Sequence, residues 1–414
     1  MLNKSAMYSM SSILFKMMSG PLALILIATD LTKIEQGVYF TFISLSSIQW
    51  VFELGITTCI VQFLSASRCQ RKKYYIAFLI YFMFFSVILL QLSFILISRF
   101  VFENVDCDIW FIPWVAYSIF ICLNMFAGSF LVIEEGGGNV EYAYKIKFIS
   151  SMSYTFFLIA SLFLGLKLFS LVLAQLAMLL PVIIILRTRF VVIVSSFRVT
   201  GRRLRVVFRE VISFQSKLSI VWIFGYFYWN SFSIIFFRYV SPEYAGEFGA
   251  INSVFSSISA ISVALISTKR VPWGELNFLG RIVDSYNDFK LYSVMSIVIF
   301  LTPSALFVLF VHFFPELDVT KRFLPLEEIL VFAVLRFLIL LQELSLLYLR
   351  TFKDEPLYVI TCANYLTMPV IVFLSLSMPE LIYVYVIVSA VQLFFVLYYF
   401  LFLHSYVKER LRNV

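Results

Sequence analysis

The sequence predicts an all-α integral membrane protein. It should have about twelve transmembrane helices in two six-helix lobes, related by a pseudo-two-fold axis along the membrane normal and enclosing a central cavity. Three observations lead to this prediction: long apolar segments, an unequal distribution of basic loops, and an internal repeat. Of the 414 residues, 62% are hydrophobic and only 14% are charged. This composition excludes a soluble globular protein.

Apolar segments alternate with short polar loops along the whole chain. Each is long enough to cross, as a helix, a hydrocarbon core that is about 30 Å thick. The twelve segments lie near residues 5–29, 37–65, 74–98, 109–133, 145–165, 168–187, 211–238, 244–268, 289–313, 326–350, 357–377 and 380–405.

The longest connection is rich in arginine and predicts the domain boundary. We expect an N-terminal six-helix lobe over 1–188, a basic cytoplasmic linker over 189–210 and a C-terminal six-helix lobe over 211–414. Apolar residues alternate with arginines in the linker. Two interpretations fit this pattern: an interfacial helix in a positively charged loop, or a surface that gathers anionic lipid headgroups.

The basic residues fall mainly on one side of the predicted membrane. If the segments cross in order, 23 of the 32 basic residues lie on one side, 6 lie on the other, and Lys16, Lys217 and Arg336 lie inside segments. Basic loops stay in the cytoplasm, so both termini are predicted to be cytoplasmic. The net charge of +8 therefore reflects topology and attraction to membrane lipids, and we expect no nucleic-acid partner.

The two halves of the chain contain a short repeat. A shift of 209 residues aligns the start of the second segment with the start of the eighth. The matched pairs are Gly37 with Gly246, Tyr39 with Phe248, Ser44 with Ser253, and Ser47 with Ser256. Both stretches begin on the outer side in the predicted topology, so the halves share one orientation. A substrate site is then expected between them, near the midplane.

Five ionisable side chains lie inside apolar segments, where a charge is costly unless it is paired or hydrated. Lys16 and Glu53 lie near the middle of the first two segments and are expected at similar depth. Arg336 and Glu343 are seven residues apart and share one helix face. Together with Lys217, these residues form either structural ion pairs or a wet, basic cavity for an anionic substrate.

Hydroxyl and amide side chains extend the candidate cavity lining. Ser44 and Ser47 share one face of the second segment, and Ser253 and Ser256 share one face of the eighth. Asn230, in the seventh segment, completes the predicted lining. Small hydroxyl residues either let membrane helices pack closely or line a hydrated pathway, and both interpretations remain open.

No catalytic constellation is present in the sequence. The two histidines, His312 and His404, lie near segment ends without metal-ligand spacing. No Walker A, GxSxG or HExxH string occurs. We therefore predict a protein that is not an enzyme and that has no metal site and no cofactor.

One stretch of each half resembles a known family. The residues that carry the resemblance are Gly37, Tyr39, Leu54-Gly55 and Arg68, within EQGVYFTFISLSSIQWVFELGITTCIVQFLSASR, and their partial repeat SPEYAGEFGAINSVFSSISAIS. They resemble the polysaccharide-exporter branch of the multidrug/oligosaccharidyl-lipid/polysaccharide exporter superfamily, and the length and spans resemble its O-antigen flippases. Many members carry an acid late in the seventh helix, whereas this chain has Asn230 there. A shared cation-coupling role at that position is therefore not expected.

The resemblance implies a flippase of the bacterial inner membrane. Its substrate would be an undecaprenyl-diphosphate-linked oligosaccharide repeat unit, such as that of the O-antigen of lipopolysaccharide. Alternating access would move this substrate from the cytoplasmic to the periplasmic leaflet. A polysaccharide polymerase and a chain-length regulator would be partners. The alternatives are a cation-coupled small-molecule exporter of the same fold and a membrane-embedded glycan polymerase.

Overall fold

The computed structural model of the chain describes residues 8, 19–66, 69–197, 199, 202–352 and 356–412. Within these residues, all regular secondary structure is helical. Two 3-10 turns cover Thr320–Arg322 and Arg350–Phe352. The α-helices are α1 Ser19–Asp30, α2 Lys33–Ser46, α3 Gln49–Glu53, α4 Ile56–Ala66, α5 Cys69–Val101, α6 Cys107–Gly137, α7 Val140–Phe163, α8 Phe169–Phe197, α9 Arg202–Tyr239, α10 Pro242–Ser267, α11 Arg270–Phe278, α12 Ile282–Phe313, α13 Leu326–Leu349, α14 Tyr358–Ser375 and α15 Ile382–Arg412.

Each of the twelve predicted segments coincides with helix in the described part of the chain. Eight of the described helices are long and apolar enough to cross a membrane by length and composition, and a bent helix pair raises this number to nine. Many large apolar side chains on these helices are exposed, among them Leu96 and Phe163. Such surfaces suit contact with lipid. The prediction of an all-helical integral membrane protein is confirmed.

The described chain forms two compact units, Met1–Gly246 and Glu247–Val414. Aromatic rings fill the first unit. Phe42 of α2 packs against Trp114 of α6, with ring centroids 4.9 Å apart, and against Phe102 at 5.5 Å. A capping box starts α2, because Thr32 and Glu35 each accept a hydrogen bond from the other's backbone N–H.

The second unit holds α13 against α10 and α15 through a second aromatic cluster. Phe332 of α13 lies 5.4 Å from Phe248 of α10 and 5.8 Å from Tyr385 of α15, measured between ring centroids. All three side chains are almost completely buried. This packing fixes the positions of the helices that carry the candidate site described below.

The second predicted segment is a broken span in the structure. Leu54 and Gly55 adopt left-handed conformations, with φ of 54° and 69°. The helix axis bends by 42° between the two parts of the span. A left-handed conformation is uncommon for leucine, so surrounding contacts must stabilise it.

Two further elements differ from the simple twelve-segment pattern. The short helix α11 lies between two spans, and its sequence was not among the predicted segments. In addition, helix continues into the predicted linker: α8 extends to Phe197 and α9 begins at Arg202. The six-plus-six division of the chain around residues 189–210 stays a prediction.

Candidate functional site

Arg336 lies near the middle of α13 and is only 5% exposed. Its Nη2 lies 3.1 Å from Ser256 Oγ and 3.4 Å from Ser259 Oγ, both on α10. A buried cation in an apolar helix needs such acceptors, because an unsolvated guanidinium is costly in a low-dielectric medium. The structure therefore brings together two of the predicted site residues, Arg336 and Ser256.

The serine face of α10 extends one step beyond the predicted pair. Ser253, Ser256 and Ser259 follow one another at three-residue spacing, which places them along one face of the helix. Ser259 was missed in the sequence, although continuing the spacing by three residues leads to it. Ser257 is exposed, and its hydroxyl donates to the Ser253 carbonyl at 2.9 Å.

Glu343 lies two turns from Arg336 on the same helix and is half-buried. It interacts electrostatically with both Arg336 and Arg350. The carboxylate thus lies between a mid-span arginine and an arginine at the end of α13. The two sequence-based interpretations of Arg336 and Glu343, a structural ion pair or part of a basic cavity, both stay predictions.

A second candidate site lies at the break between α3 and α4, in the first unit. The Leu54 carbonyl accepts a hydrogen bond from Gln215 Nε2 at 2.6 Å and one from Ser219 Oγ at 3.4 Å. Beside it, Glu53 accepts a hydrogen bond from the Thr57 hydroxyl. Breaks of this kind expose backbone carbonyls that α9 side chains satisfy here. Discontinuous helices near the midplane are common substrate or ion sites.

The remaining predicted site residues lie in several places. Lys16 and the side chain of Lys217 lie outside the described part of the chain, so their predicted roles stay predictions. Ser44 is buried in α2, and the Ser47 hydroxyl donates to the Ile43 carbonyl at 3.1 Å. Asn230 is half-buried, and its Nδ2 donates to the Tyr226 carbonyl at 3.3 Å.

The matched glycines of the internal repeat meet in the first unit. Gln36 Nε2 donates to the Gly246 carbonyl at 3.0 Å. A Cβ built on Gly246 would lie 2.8 Å from the Gly37 backbone nitrogen, and a Cβ on Gly37 would overlap the Pro242 carbonyl. The starts of α2 and α10 therefore approach each other backbone to backbone, which only glycine permits.

Three buried amides join three helices of the second unit. Gln342 Oε1 on α13 accepts from Asn364 Nδ2 on α14 at 2.7 Å and from Gln392 Nε2 on α15 at 2.5 Å. All three side chains are at most 2% exposed. The sequence predicted one amide, Asn230, as a site residue but not these three, because their contact depends on the packing of three helices. Hydrogen bonds between such neutral side chains stabilise membrane helix packing.

We expect the amide cluster to stabilise the second unit. In a double-mutant cycle of Gln342→Leu and Asn364→Leu, each single change should lower the free energy of unfolding. The coupling should be about 0.6 kcal/mol and at most about 1.7 kcal/mol, the average and the largest value from double-mutant cycles of hydrogen bonds between membrane helices. Unfolding of the purified protein in detergent measures it. Strictly additive losses would contradict the proposed contact.

The described residues contain no group of three or more His, Cys, Asp or Glu side chains that could hold a metal ion. The polar groups that they do place inside spans are a guanidinium, hydroxyls, amides, carboxylates and a backbone carbonyl. A guanidinium with hydroxyls can bind anionic and sugar groups by hydrogen bonds. The arrangement therefore suits binding of a polar, negatively charged group at membrane depth.

Sequence comparisons give no relatives: no family model matches the chain, and no curated protein sequence matches it. Solved structures do match. The inward-facing conformation of a multidrug resistance MATE family transporter of the MOP superfamily has a TM-score of 0.71 and 11% identity, over 95% of this chain and 95% of that chain.

Two further matches come from different transporters. The Lipid II flippase MurJ, in its inward closed conformation, has a TM-score of 0.65 and 12% identity, over 98% of this chain and 90% of that chain. A MOP superfamily transporter from Pyrococcus furiosus has a TM-score of 0.54 and 14% identity, over 98% and 94%. The chain therefore has the all-helical membrane fold of these transporters, as its sequence predicts.

Proposed function

We propose that this chain is a flippase for a lipid-linked oligosaccharide. It would take the oligosaccharide on undecaprenyl diphosphate from the cytoplasmic leaflet and expose it on the periplasmic leaflet by alternating access. The observation that carries the proposal is the mid-span Arg336, buried among the hydroxyls of Ser256 and Ser259.

The chemistry of the substrate favours this assignment. A diphosphate must cross a medium that penalises bare anions heavily, and fixed cations lower that penalty. A guanidinium is planar and presents several N–H donors in a geometry that matches phosphate oxygens. Serine hydroxyls can hydrogen-bond either phosphate or sugar groups. Lys217, predicted nearer the cytoplasmic entrance, would act as a compact point charge.

The fold supports the same proposal in a more general way. One solved structure with this fold is a Lipid II flippase, so the architecture is compatible with a lipid-linked substrate. The finer assignment to O-antigen-type repeat units rests on the resemblance around Gly37 and Leu54-Gly55. That assignment would place the protein in the inner membrane, with a polysaccharide polymerase and a chain-length regulator as partners. The substrate would lie between two six-helix lobes, which would open in turn toward each side of the membrane.

A second candidate function is export of small organic molecules. The observation that favours it is the similarity to a multidrug resistance MATE family transporter, with a TM-score of 0.71. Against it, a buried arginine is poorly suited to binding organic cations, because like charges repel.

Deleting the gene in its native host separates these functions. A flippase deletion should reduce surface polysaccharide and leave lipid-linked repeat units in the cytoplasmic leaflet, and a plasmid copy should reverse both effects. Susceptibility to cationic drugs should not change. Normal surface polysaccharide, together with increased drug susceptibility on deletion, would favour the small-molecule exporter and contradict the flippase.

The proposed topology can be tested with single-cysteine variants. Cys107 is exposed at the start of α6, in a loop predicted to face the periplasm, whereas Cys69 lies in a predicted cytoplasmic loop. A membrane-impermeant maleimide added to intact spheroplasts should label the variant that keeps only Cys107. It should label the Cys69 variant only after lysis. Labelling of Cys69 in intact spheroplasts would overturn the topology.

A further inference from the structure

A pocket of about 610 Å³ opens at one end of the second unit. Its walls come from the end of α10, from α11 and from the 3-10 turn after α13. The polar side chains that line it are those of Ser267, Arg270, Glu275, Arg350 and Thr351. Its size lies within the range of ordinary small-molecule sites, about 300 to 1,000 Å³, and none of its lining residues is among the residues assigned to transport.

The wall formed by α11 is firmly held. Trp273 is completely buried, and its Nε1 donates to Asp288 Oδ2 at 2.9 Å. Its ring lies 5.7 Å from that of Tyr348, between centroids. On the pocket side, Asn277 Nδ2 donates to Thr351 Oγ1 at 2.8 Å. These contacts fix α11 against α12 and the end of α13, so the pocket is built into the fold.

The charges that line the pocket suit a phosphate group. Arg270 and Arg350 contribute two guanidinium groups, which can donate hydrogen bonds to an anion. The hydroxyls of Ser267 and Thr351 also line the pocket, but they donate to the backbone carbonyls of Val263 and Tyr348. Glu275 contributes one opposing carboxylate, so the lining itself carries one net positive charge, and Glu343 interacts with Arg350 from outside the lining. Guanidinium groups typically recognise phosphate, because their planar N–H donors match the phosphate oxygens.

The position of the pocket suits a ligand that is anchored in the membrane. The distribution of basic residues predicts that the loop containing α11 is cytoplasmic. At the end of α11, Phe278 is 84% exposed and Leu279 is 68% exposed. A short helix that exposes apolar residues beside arginines is typical of the interface between headgroups and acyl chains. The pocket mouth would then lie at the depth of the lipid phosphates.

We propose that this pocket binds the phosphate headgroup of a lipid in the cytoplasmic leaflet. Two lipids could supply that chemistry: an anionic phospholipid, or a polyprenyl diphosphate of the kind that carries oligosaccharides. The proposal does not depend on the proposed function, because an exporter of small molecules could hold a phospholipid in the same place.

The test uses the purified full-length protein in detergent and measures the affinity of three probes. The probes are short-chain phosphatidylglycerol, farnesyl diphosphate and inorganic pyrophosphate. Arg270→Gln should weaken binding of the preferred lipid about tenfold, since a charge-assisted hydrogen bond is lost. Glu275→Gln should strengthen it, because the opposing charge is removed. Arg281→Gln is the matched control: Arg281 is exposed on the same loop, pairs with Asp284 at 2.7 Å and does not line the pocket.

The three probes distinguish the sources of the phosphate. Tighter binding of phosphatidylglycerol assigns a membrane phospholipid, and tighter binding of farnesyl diphosphate assigns a polyprenyl carrier; both results support the site. The proposal is wrong if pyrophosphate competes as well as either lipid, or if Arg270→Gln and Arg281→Gln have the same effect. A thermal melt of each variant shows that the fold is retained.

Discussion

Gly37→Ala is expected to abolish transport and to destabilise the protein by about 1–3 kcal/mol, the usual cost of overpacking. The added methyl group would overlap the Pro242 carbonyl oxygen, which belongs to the backbone and cannot rotate away. The starts of α2 and α10 would have to separate, and the hydrogen bond from Gln36 to the Gly246 carbonyl would be lost with them. Surface polysaccharide in the gene-deleted host and thermal unfolding of the purified protein measure the two effects.

A matched control is available within the same unit. Gly128 lies inside α6, and a Cβ built on it has no heavy atom within 4 Å. Gly128→Ala should therefore leave transport unchanged and slightly raise stability, because alanine is the better helix former. Gly246→Ala should resemble Gly37→Ala, and the two defects should not add, since both open the same crossing. Parental stability and transport in Gly37→Ala would show that the two helices do not need this close approach.

The close approach of Gly37 and Gly246 shows what could be predicted from the sequence and what could not. The 209-residue shift identified Gly37 and Gly246 as equivalent positions of a repeat, but a shift says nothing about contact between them. Their contact depends on the approach of two helices more than 200 residues apart, which is decided by packing. A glycine can be identified in the sequence as a helix position without a side chain, whereas the helix that packs against that position cannot.

The spans were predictable because hydrophobicity over about 20 residues determines them directly. The break in α2–α4 was harder to predict. A leucine at position 54 does not predict a left-handed conformation. The groups that donate to its carbonyl, on Gln215 and Ser219, come from a helix that is distant in the sequence. Helix α11 was missed for a different reason. It has only nine residues, too few for a hydropathy window to detect, and its position depends mainly on the burial of Trp273.

For the candidate site too, the sequence identifies individual residues but not the contacts between them. Arg336 was recognisable because a cation is rare inside an apolar span, and the spacing of serines pointed to Ser256. Which hydroxyls contact the guanidinium could not be predicted, because that depends on the rotation of α10 against α13. The amides of Gln342 and Asn364 carry no charge. Their burial and their contact with each other depend on how three helices pack, so the sequence alone does not identify them.

Arg336→Ala is expected to be nearly inactive in transport while still inserting into the membrane. The change removes the mid-span guanidinium, so the substrate diphosphate would cross without its fixed counter-charge. Arg336→Lys should be appreciably impaired, since an ammonium keeps the charge but loses the planar donor geometry. Lys217→Arg should be largely tolerated, because a point charge nearer the entrance can be supplied by either side chain. Surface polysaccharide in the gene-deleted host, normalised to protein in the membrane fraction, gives the activity.

A purely structural role for Arg336 makes a different prediction. If the guanidinium only joins α13 to α10, the double variant Ser256→Ala/Ser259→Ala should lose stability and transport together. Adding Arg336→Met, which preserves the volume, to that double variant should then restore both. If it contacts the substrate, Arg336→Met should be as stable as the parent and yet inactive, because the methyl thioether cannot hold a diphosphate. Thermal unfolding beside the transport assay separates the two cases. Should Arg336→Ala insert normally and export as well as the parent, the buried arginine is not part of the pathway, and the flippase proposal loses the observation on which it rests.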